Sequence, residues 1–258
     1  MPNFLTHLFS SHSPSFLIRA FNFLLIFTFL SLFFCFVFFT QVYHWDVLLK
    51  YRAVFLRGWE TTILISLASL VLSSLIGLVT SLLRRSKILI FSYFAQIYIE
   101  LIRGTPLLVQ LLFFFYIVAA ALKLENRFLV GIITLSLFSG AYIAEIFRSG
   151  IENIRKTMLE SATAIGLTSW QTYRYVIYPI SIRQILPPLA GQFASIIKDS
   201  SLLSILGISE FTYAAQQVSS ASFSTLECYF PLAIGYLLLT FPISLFSKIL
   251  EKRSRHES

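Results

Sequence analysis

The residues able to do chemistry in this chain are few, and they stand where charge is costly. Lys198-Asp199-Ser200-Ser201 interrupts an apolar run from Leu189 to Ile208. Glu100 and Arg103, and again Glu145 and Arg148, stand three apart, which puts each pair on one helical face. An ion pair at that spacing makes two charges tolerable near a membrane, and it is the plain expectation for both pairs. Lys198 and Asp199 differ, because ionisable groups at membrane depth are costly and tend to mark pathways. The chain has no G-x-x-x-x-G-K-[ST] phosphate loop, no H-E-x-x-H and no G-x-S-x-G. Its charged residues therefore read as lining and pairing groups, not as bond-breaking machinery. His7, His12, His44 and His256 are too scattered to build a metal site. Cys35 and Cys228 lie in or beside separate apolar runs and have no reason to meet.

The elements that hold these residues are set by composition. With 57% hydrophobic residues, 12% charged residues and a mean hydropathy of +0.78, the chain excludes a soluble domain. Several runs approach the roughly 18–20 residues that cross hydrocarbon as a helix. The expected fold is an all-α integral membrane bundle of about six spans. Phe21 to Thr40 is the first; a signal peptide is its rival, but the run exceeds the usual apolar length of about 7–15 residues and no small-residue cleavage site follows. Gln41 to Glu60 reads as a linker whose Tyr43, Trp45 and Trp59 suit an interface. Thr61 to Leu83 is the second span, with Ser69, Ser73, Gly77 and Ser81 at a spacing of four as a small-residue seam. Ile88 to Leu122 is expected to be one traverse bent near Pro106. Phe128 to Ala144 follows, with its own seam of Ser136, Gly140 and Ala144, and runs out through Glu145 and Arg148. Leu189 to Ile208 is a broken traverse, Ser209 to Glu227 a polar loop and Tyr229 to Ser247 the last span. With the N-terminus inside, thirteen Lys and Arg fall in the cytoplasm and five outside. The net charge of +8 is then topological, and no nucleic-acid partner is implied.

One polar island, Glu152 to Pro188, cannot sit in lipid. Thr157 with Glu160 has the spacing of a capping box, and Gly166 supplies a left-handed helix end. Thr168 with Gln171 repeats the box, and Pro179 is expected to stop the second helix. Two short capped helices on the cytoplasmic side require something to hold them.

The island resembles the EAA loop of ABC-importer permeases. Glu160-Ser161-Ala162, three residues, Gly166, nine residues, then Val176-Ile177-Tyr178-Pro179 follows that family's E-A-A…G…I-x-L-P spacing, with Ser161, Val176 and Tyr178 as departures. Glu100-Leu-Ile-Arg103-Gly104-Thr105-Pro106-Leu-Leu-Val-Gln110, Gly140-Ala-Tyr142-Ile-Ala-Glu145-Ile-Phe-Arg148-Ser-Gly150-Ile and Lys198-Asp199-Ser200-Ser201-Leu are similar to stretches of the polar amino-acid uptake permeases, the histidine/glutamine/arginine type, and Gly58-Trp-Glu-Thr61-Thr62 matches the start of their first core helix. The similarity covers roughly Arg57 to Leu250.

The resemblance implies a five-helix permease domain at 57–250, an added N-terminal span within 1–56 and a basic tail at 251–258. It implies a bacterial cytoplasmic membrane location with both termini in the cytoplasm. No cofactor is implied on this chain; ATP and Mg belong to a separate ATPase subunit. Glu160, Ser161, Ala162, Gly166, Trp170 and Pro179 would meet that ATPase. A second permease copy or paralogue and an extracytoplasmic solute-binding protein complete the assembly. Arg103, Thr105, Pro106, Tyr142, Glu145, Lys198, Asp199, Ser200 and Ser201 are the expected pathway residues, the last four suited to the zwitterion of an amino acid. Two other classes fit a bundle of broken helices: an ion-driven secondary transporter, although no motif occurs twice in the chain, and a membrane assembly protein without transport.

Overall fold

Backbone in hydrocarbon must satisfy its own hydrogen bonds, and among the described residues every regular element is helical. The computed structural model describes residues 16–39 and 43–255, and it falls into two units that part after His44. The first unit holds α1 (Phe16–Phe39), whose side chains from Phe21 to Leu32 are all exposed. The polar stretch before α1 and the end of the basic tail lie outside the described residues, as do the start of the linker and the Cys35 side chain.

The second unit contains α2 (Asp46–Lys50), α3 (Arg52–Arg84), α4 (Leu89–Arg103), α5 (Leu107–Phe113, continued as a π-helix to Ala119) and α6 (Arg127–Glu152). Then come α7 (Lys156–Ala164), α8 (Ser169–Thr172), α9 (Tyr178–Asp199), α10 (Phe211–Ser222) and α11 (Thr225–Arg255). Helices α3, α6 and α11 are long and apolar enough to cross a membrane, and α4 with α5 forms a fourth candidate bent by 108°. The bend falls at Gly104-Thr105-Pro106, where the sequence places it. Pro106 has no amide hydrogen to donate and holds extended backbone, so α4 ends before it and α5 starts after it.

The two small-residue seams meet. A Cβ on Gly77 would lie 2.6 Å from Cγ2 of Ile143, and one on Gly140 would lie 2.7 Å from Cγ2 of Ile76. Each glycine thus receives an isoleucine of the other helix, and Ser69, Ser73 and Ser81 are buried along the same face of α3. Close approach of this kind replaces the hydrophobic drive that lipid cannot supply.

Two expectations fail here. The linker is shorter than Gln41 to Glu60, because α3 is already helical from Arg52. Ser209 to Glu227 is not a loop. It contains α10, whose Phe211, Ala214, Ala215 and Val218 are buried at helical spacing. Glu210 caps it, accepting from the amides of Thr212 and Tyr213 at 2.8 Å each and from the Tyr236 hydroxyl at 2.8 Å. Burial pushes the Glu210 carboxyl above the usual range, and those three donors pull it back. The Phe211 amide donates to Thr62 Oγ1 at 3.0 Å, which ties α10 to α3.

Candidate functional site

The polar island folds as two arms. The first is α7, and it starts two residues earlier than a Thr157 cap requires. Arg155 holds the extended N-cap position without a side-chain bond, so Thr157 lies inside the first turn and its box with Glu160 does not form. The other end is as expected. Gly166 has φ +78°, its amide donates to the Thr163 carbonyl at 3.0 Å, and the Leu167 amide reaches the Ala162 carbonyl at 3.1 Å. This is a Schellman closure, in which a left-handed residue lets the last carbonyls find donors. Ala162 is buried while Glu160 and Ser161 are exposed. Met158 and Ile165 also stand out, Ile165 at 76% exposure.

The second arm opens on the expected capping box. Thr168 accepts from the Gln171 amide at 3.3 Å, and Gln171 Oε1 accepts from the Thr168 amide at 2.8 Å. Pro179 does not stop the helix. From Tyr173 to Ile177 the chain takes a π-turn, with the Tyr178 amide bonded five residues back to the Tyr173 carbonyl, and α9 continues through Pro179 at its first turn. The wider register absorbs the missing proline donor. Trp170 stands 70% exposed beside this turn.

The pathway candidates fall into two groups. Arg103, at the end of α4, lies over the Tyr142 ring at 5.4 Å, a cation–π contact. The expected Glu100–Arg103 pair is absent among the described residues: Glu100 accepts from Gln96 at 2.7 Å instead. Glu145 and Arg148 do pair, with Nε 2.9 Å from Oε2, and Arg148 also pairs with Glu152. Arg103 and Arg84 both act on the Glu145 charge through space. Thr105 and Pro106 form the bend beside Arg103.

The second group marks the break after α9. At Ser200 the α-helix becomes a 3-10 helix, Ser200–Leu206. Ser200 Oγ donates to the Ile197 carbonyl at 2.8 Å and Ser201 Oγ to the Lys198 carbonyl at 2.6 Å. Both hydroxyls bond back to carbonyls three residues earlier, at the point where the helix type changes. Lys198 is exposed and Asp199 half-buried. Among the described residues no hydrogen bond or ion pair joins this group to the Arg103–Tyr142–Glu145 group.

Gln110 closes the Glu100–Gln110 stretch without a role assigned from the sequence, and in the structure it holds the bend. It is buried, and its amide nitrogen lies 2.8 Å from the Ile102 carbonyl, 3.1 Å from the Thr105 carbonyl and 2.8 Å from Thr105 Oγ1. A lone amide in an apolar run was the available signal, since a buried amide needs internal partners.

Long apolar helices, a bent helix pair and a two-armed polar loop define a helical membrane protein. The chain belongs to the family described as binding-protein-dependent transport system inner membrane component, whose model matches residues 73–256. It is 34% identical over 216 residues to the glutamine transport system permease protein GlnP of Escherichia coli strain K12, covering 83% of this chain and 98% of that protein. It is 33% identical over 211 residues to the L-cystine transport system permease protein TcyB of Bacillus subtilis strain 168, covering 81% and 90%. The crystal structure of an amino acid ABC transporter with histidines superposes with a TM-score of 0.76 at 32% identity, over 83% of this chain and 100% of that one. An inward-facing MetNI methionine ABC transporter gives 0.65 at 14% identity, over 79% and 97%, which shows the fold alone. The family is that of ABC permeases, multi-pass transport subunits of the inner membrane whose ATPase is a partner chain. Membership implies a separate ATPase, a binding protein and a paired permease as partners.

Proposed function

We propose that this chain is the permease that carries a polar amino acid across the bacterial cytoplasmic membrane, with both termini in the cytoplasm and the permease domain at 57–250. ATP and Mg are bound by two copies of a separate ATPase, and a groove on each receives α7 of one permease. Glu160, Ser161, Ala162 and Gly166 form that contact; Trp170 and Pro179, which the resemblance groups with them, lie on the second arm and return the chain towards the bundle. A second copy of this chain, or a paralogue, supplies the other half of the pathway, and a solute-binding protein delivers substrate from outside.

One observation carries the reading: an exposed, Schellman-closed helix is followed by helical backbone that leads through a π-turn to the break at Lys198–Ser201. ATP can move such a device only by binding one of its states better than the other. Arg103, Thr105, Pro106, Tyr142, Glu145, Lys198, Asp199, Ser200 and Ser201 line the route. The helix break offers Lys198 for a carboxylate and Asp199 for an ammonium group. The relatives named for glutamine and cystine support a polar amino acid as cargo.

The test is uptake of labelled amino acids into vesicles holding the permease with its ATPase and binding protein. Uptake is expected to need ATP, and Lys198→Met or Asp199→Asn to weaken it while leaving ATPase attachment intact. Uptake that persists without ATP and collapses with an ionophore would instead identify an ion-driven carrier.

A further inference from the structure

The second arm of the loop carries an aromatic ladder that docking of α7 leaves unused. Trp170 stacks on Tyr173 at 5.9 Å with the rings 24° apart, and Tyr173 approaches Tyr178 at 6.4 Å. Arg174 lies over the Tyr178 ring at 5.8 Å. Tyr175, between them, is 68% exposed, and Tyr173 and Tyr178 are 48% and 45% exposed. Three rings in series, with Tyr175 exposed on another side of the same turn, present apolar bodies with polar tips, the chemistry that collects at the headgroup level of a bilayer.

Two features of the chain select that surface. Tyr178 is the first residue of α9, the helix that leads to the break at Lys198, so the ladder sits at the point where the chain turns back into the bundle. From Ser161 to Lys198 there is no Asp or Glu, while Arg174 and Arg183 lie within the stretch. This arm is therefore cationic and aromatic, matching the anionic lipids of a cytoplasmic leaflet. The α7 arm differs, because it exposes Glu160 beside Met158 and Ile165.

We propose that Trp170, Tyr173, Tyr175 and Tyr178, with Arg174, lie in the headgroup layer of the cytoplasmic leaflet. They fix the second arm to the bilayer while α7 engages the ATPase. The inference rests on the coupling-loop reading above. A bilayer-held arm gives the loop a fulcrum: motion imposed on α7 is levered into α9 and not lost by the whole loop swinging.

The test uses the full chain with its ATPase in nanodiscs of phosphatidylethanolamine and phosphatidylglycerol, with Trp45→Phe and Trp59→Phe leaving Trp170 as the only tryptophan of this chain and with tryptophan-free ATPase and belt protein. Its emission is expected to be blue-shifted and to be lost when the lipids carry bromine near the headgroup. Emission at the wavelength of free indole and unquenched by the brominated lipids overturns the proposal. Quenching that appears only once the ATPase is stripped off also overturns it, because the ATPase then covers the ladder. Should the tryptophan variants fail to fold, a nitroxide at Tyr175→Cys, with Cys35→Ser, gives a second reading. It should be reached by oxygen dissolved in lipid, and preferential access by an aqueous nickel complex overturns the proposal. Glu160→Lys separates the two claims, since it is expected to release the ATPase on co-purification and leave the quenching unchanged. Retained ATPase in that variant counts against the docking of α7 and not against the lipid contact.

Discussion

The sharpest test of the loop is a series at Gly166, because the structure separates the two ways a glycine can matter. Gly166 stands at φ +78°, and a Cβ built on it meets nothing within 4 Å. Bulk is therefore irrelevant and conformation is the whole cost. An L-residue in the left-handed region costs roughly 1–2 kcal/mol, with Asn cheaper because its short amide bonds locally. The same backbone turn aims the Gly166 and Leu167 amides at the Thr163 and Ala162 carbonyls, so a residue that leaves this region opens the end of α7. A penalty of one to two kcal/mol lowers the closed-to-open ratio by roughly 5- to 30-fold. ATP-driven uptake in proteoliposomes should fall in the order Gly, Asn, Ala, Val, with ATPase attachment weakening alongside. The melting temperature of the complex in detergent should barely move, since the residues of α7 are mostly exposed. Equal uptake for Asn and Val would refute the conformational argument. A melting temperature that fell in step with uptake would show that the loop is structural and not a handle.

The α3–α6 seam gives an opposite case, where bulk is the cost. Gly140→Ala puts a methyl 2.7 Å from Ile76 Cγ2 and 3.1 Å from the Tyr98 hydroxyl, so about 1–3 kcal/mol of overpacking is expected as a lower melting temperature. Adding Ile76→Ala should recover part of it in a double-mutant cycle, and strictly additive losses would show that the two residues do not meet. At the bend, Gln110→Leu leaves the Ile102 and Thr105 carbonyls without their side-chain donor, an expected loss of about 1–3 kcal/mol in thermal unfolding. Uptake should fall with it, and an unchanged protein would mean that Pro106 alone fixes the bend.

What the sequence made legible follows from which forces are local. Hydropathy located the long helices, because lipid leaves the backbone no alternative, and Pro106 marked the bend because a ring nitrogen cannot donate. Gly166 and the Thr168–Gln171 box were readable for the same reason: each is satisfied within a few residues. Some misreadings needed partners from elsewhere in the fold, and others turned on a local backbone register that composition does not show. Arg103 passed over its i−3 neighbour Glu100 for the Tyr142 ring on α6. Pro179 failed to break a helix because a π-turn had already widened the register ahead of it. The segment after Gly207 looked polar by composition, yet Phe211, Ala214, Ala215 and Val218 carry a helical period that Glu210 caps. The joining of Thr62 to the Phe211 amide, 149 residues apart in sequence, leaves no local trace at all.

The packing around α9 constrains how any motion of the loop can spread. A Cβ on Gly150, near the end of α6, would lie 2.3 Å from Cγ1 of Ile185, so α9 seats a side chain directly against the α6 backbone. On the other side Ser247 of α11 donates to the Pro187 carbonyl at 2.8 Å. Pro188, with no amide hydrogen, leaves the Gln184 carbonyl without its usual helical donor, so α9 is weakest there and is braced by α11 at that level. Sliding α9 alone would drive Ile185 into the α6 backbone and break the Ser247 contact, and close-packed interiors resist that by switching between discrete arrangements. Motion entering from α7 must therefore either be absorbed at the π-turn of residues 173–177 or carry α6 and α9 together. Inverting a two-state equilibrium from 1:99 to 99:1 takes about 5.5 kcal/mol of differential binding. A loop that yielded at the π-turn would dissipate that difference before it reached Lys198. Coupling thus requires the π-turn to be held while α6 and α9 move as one body.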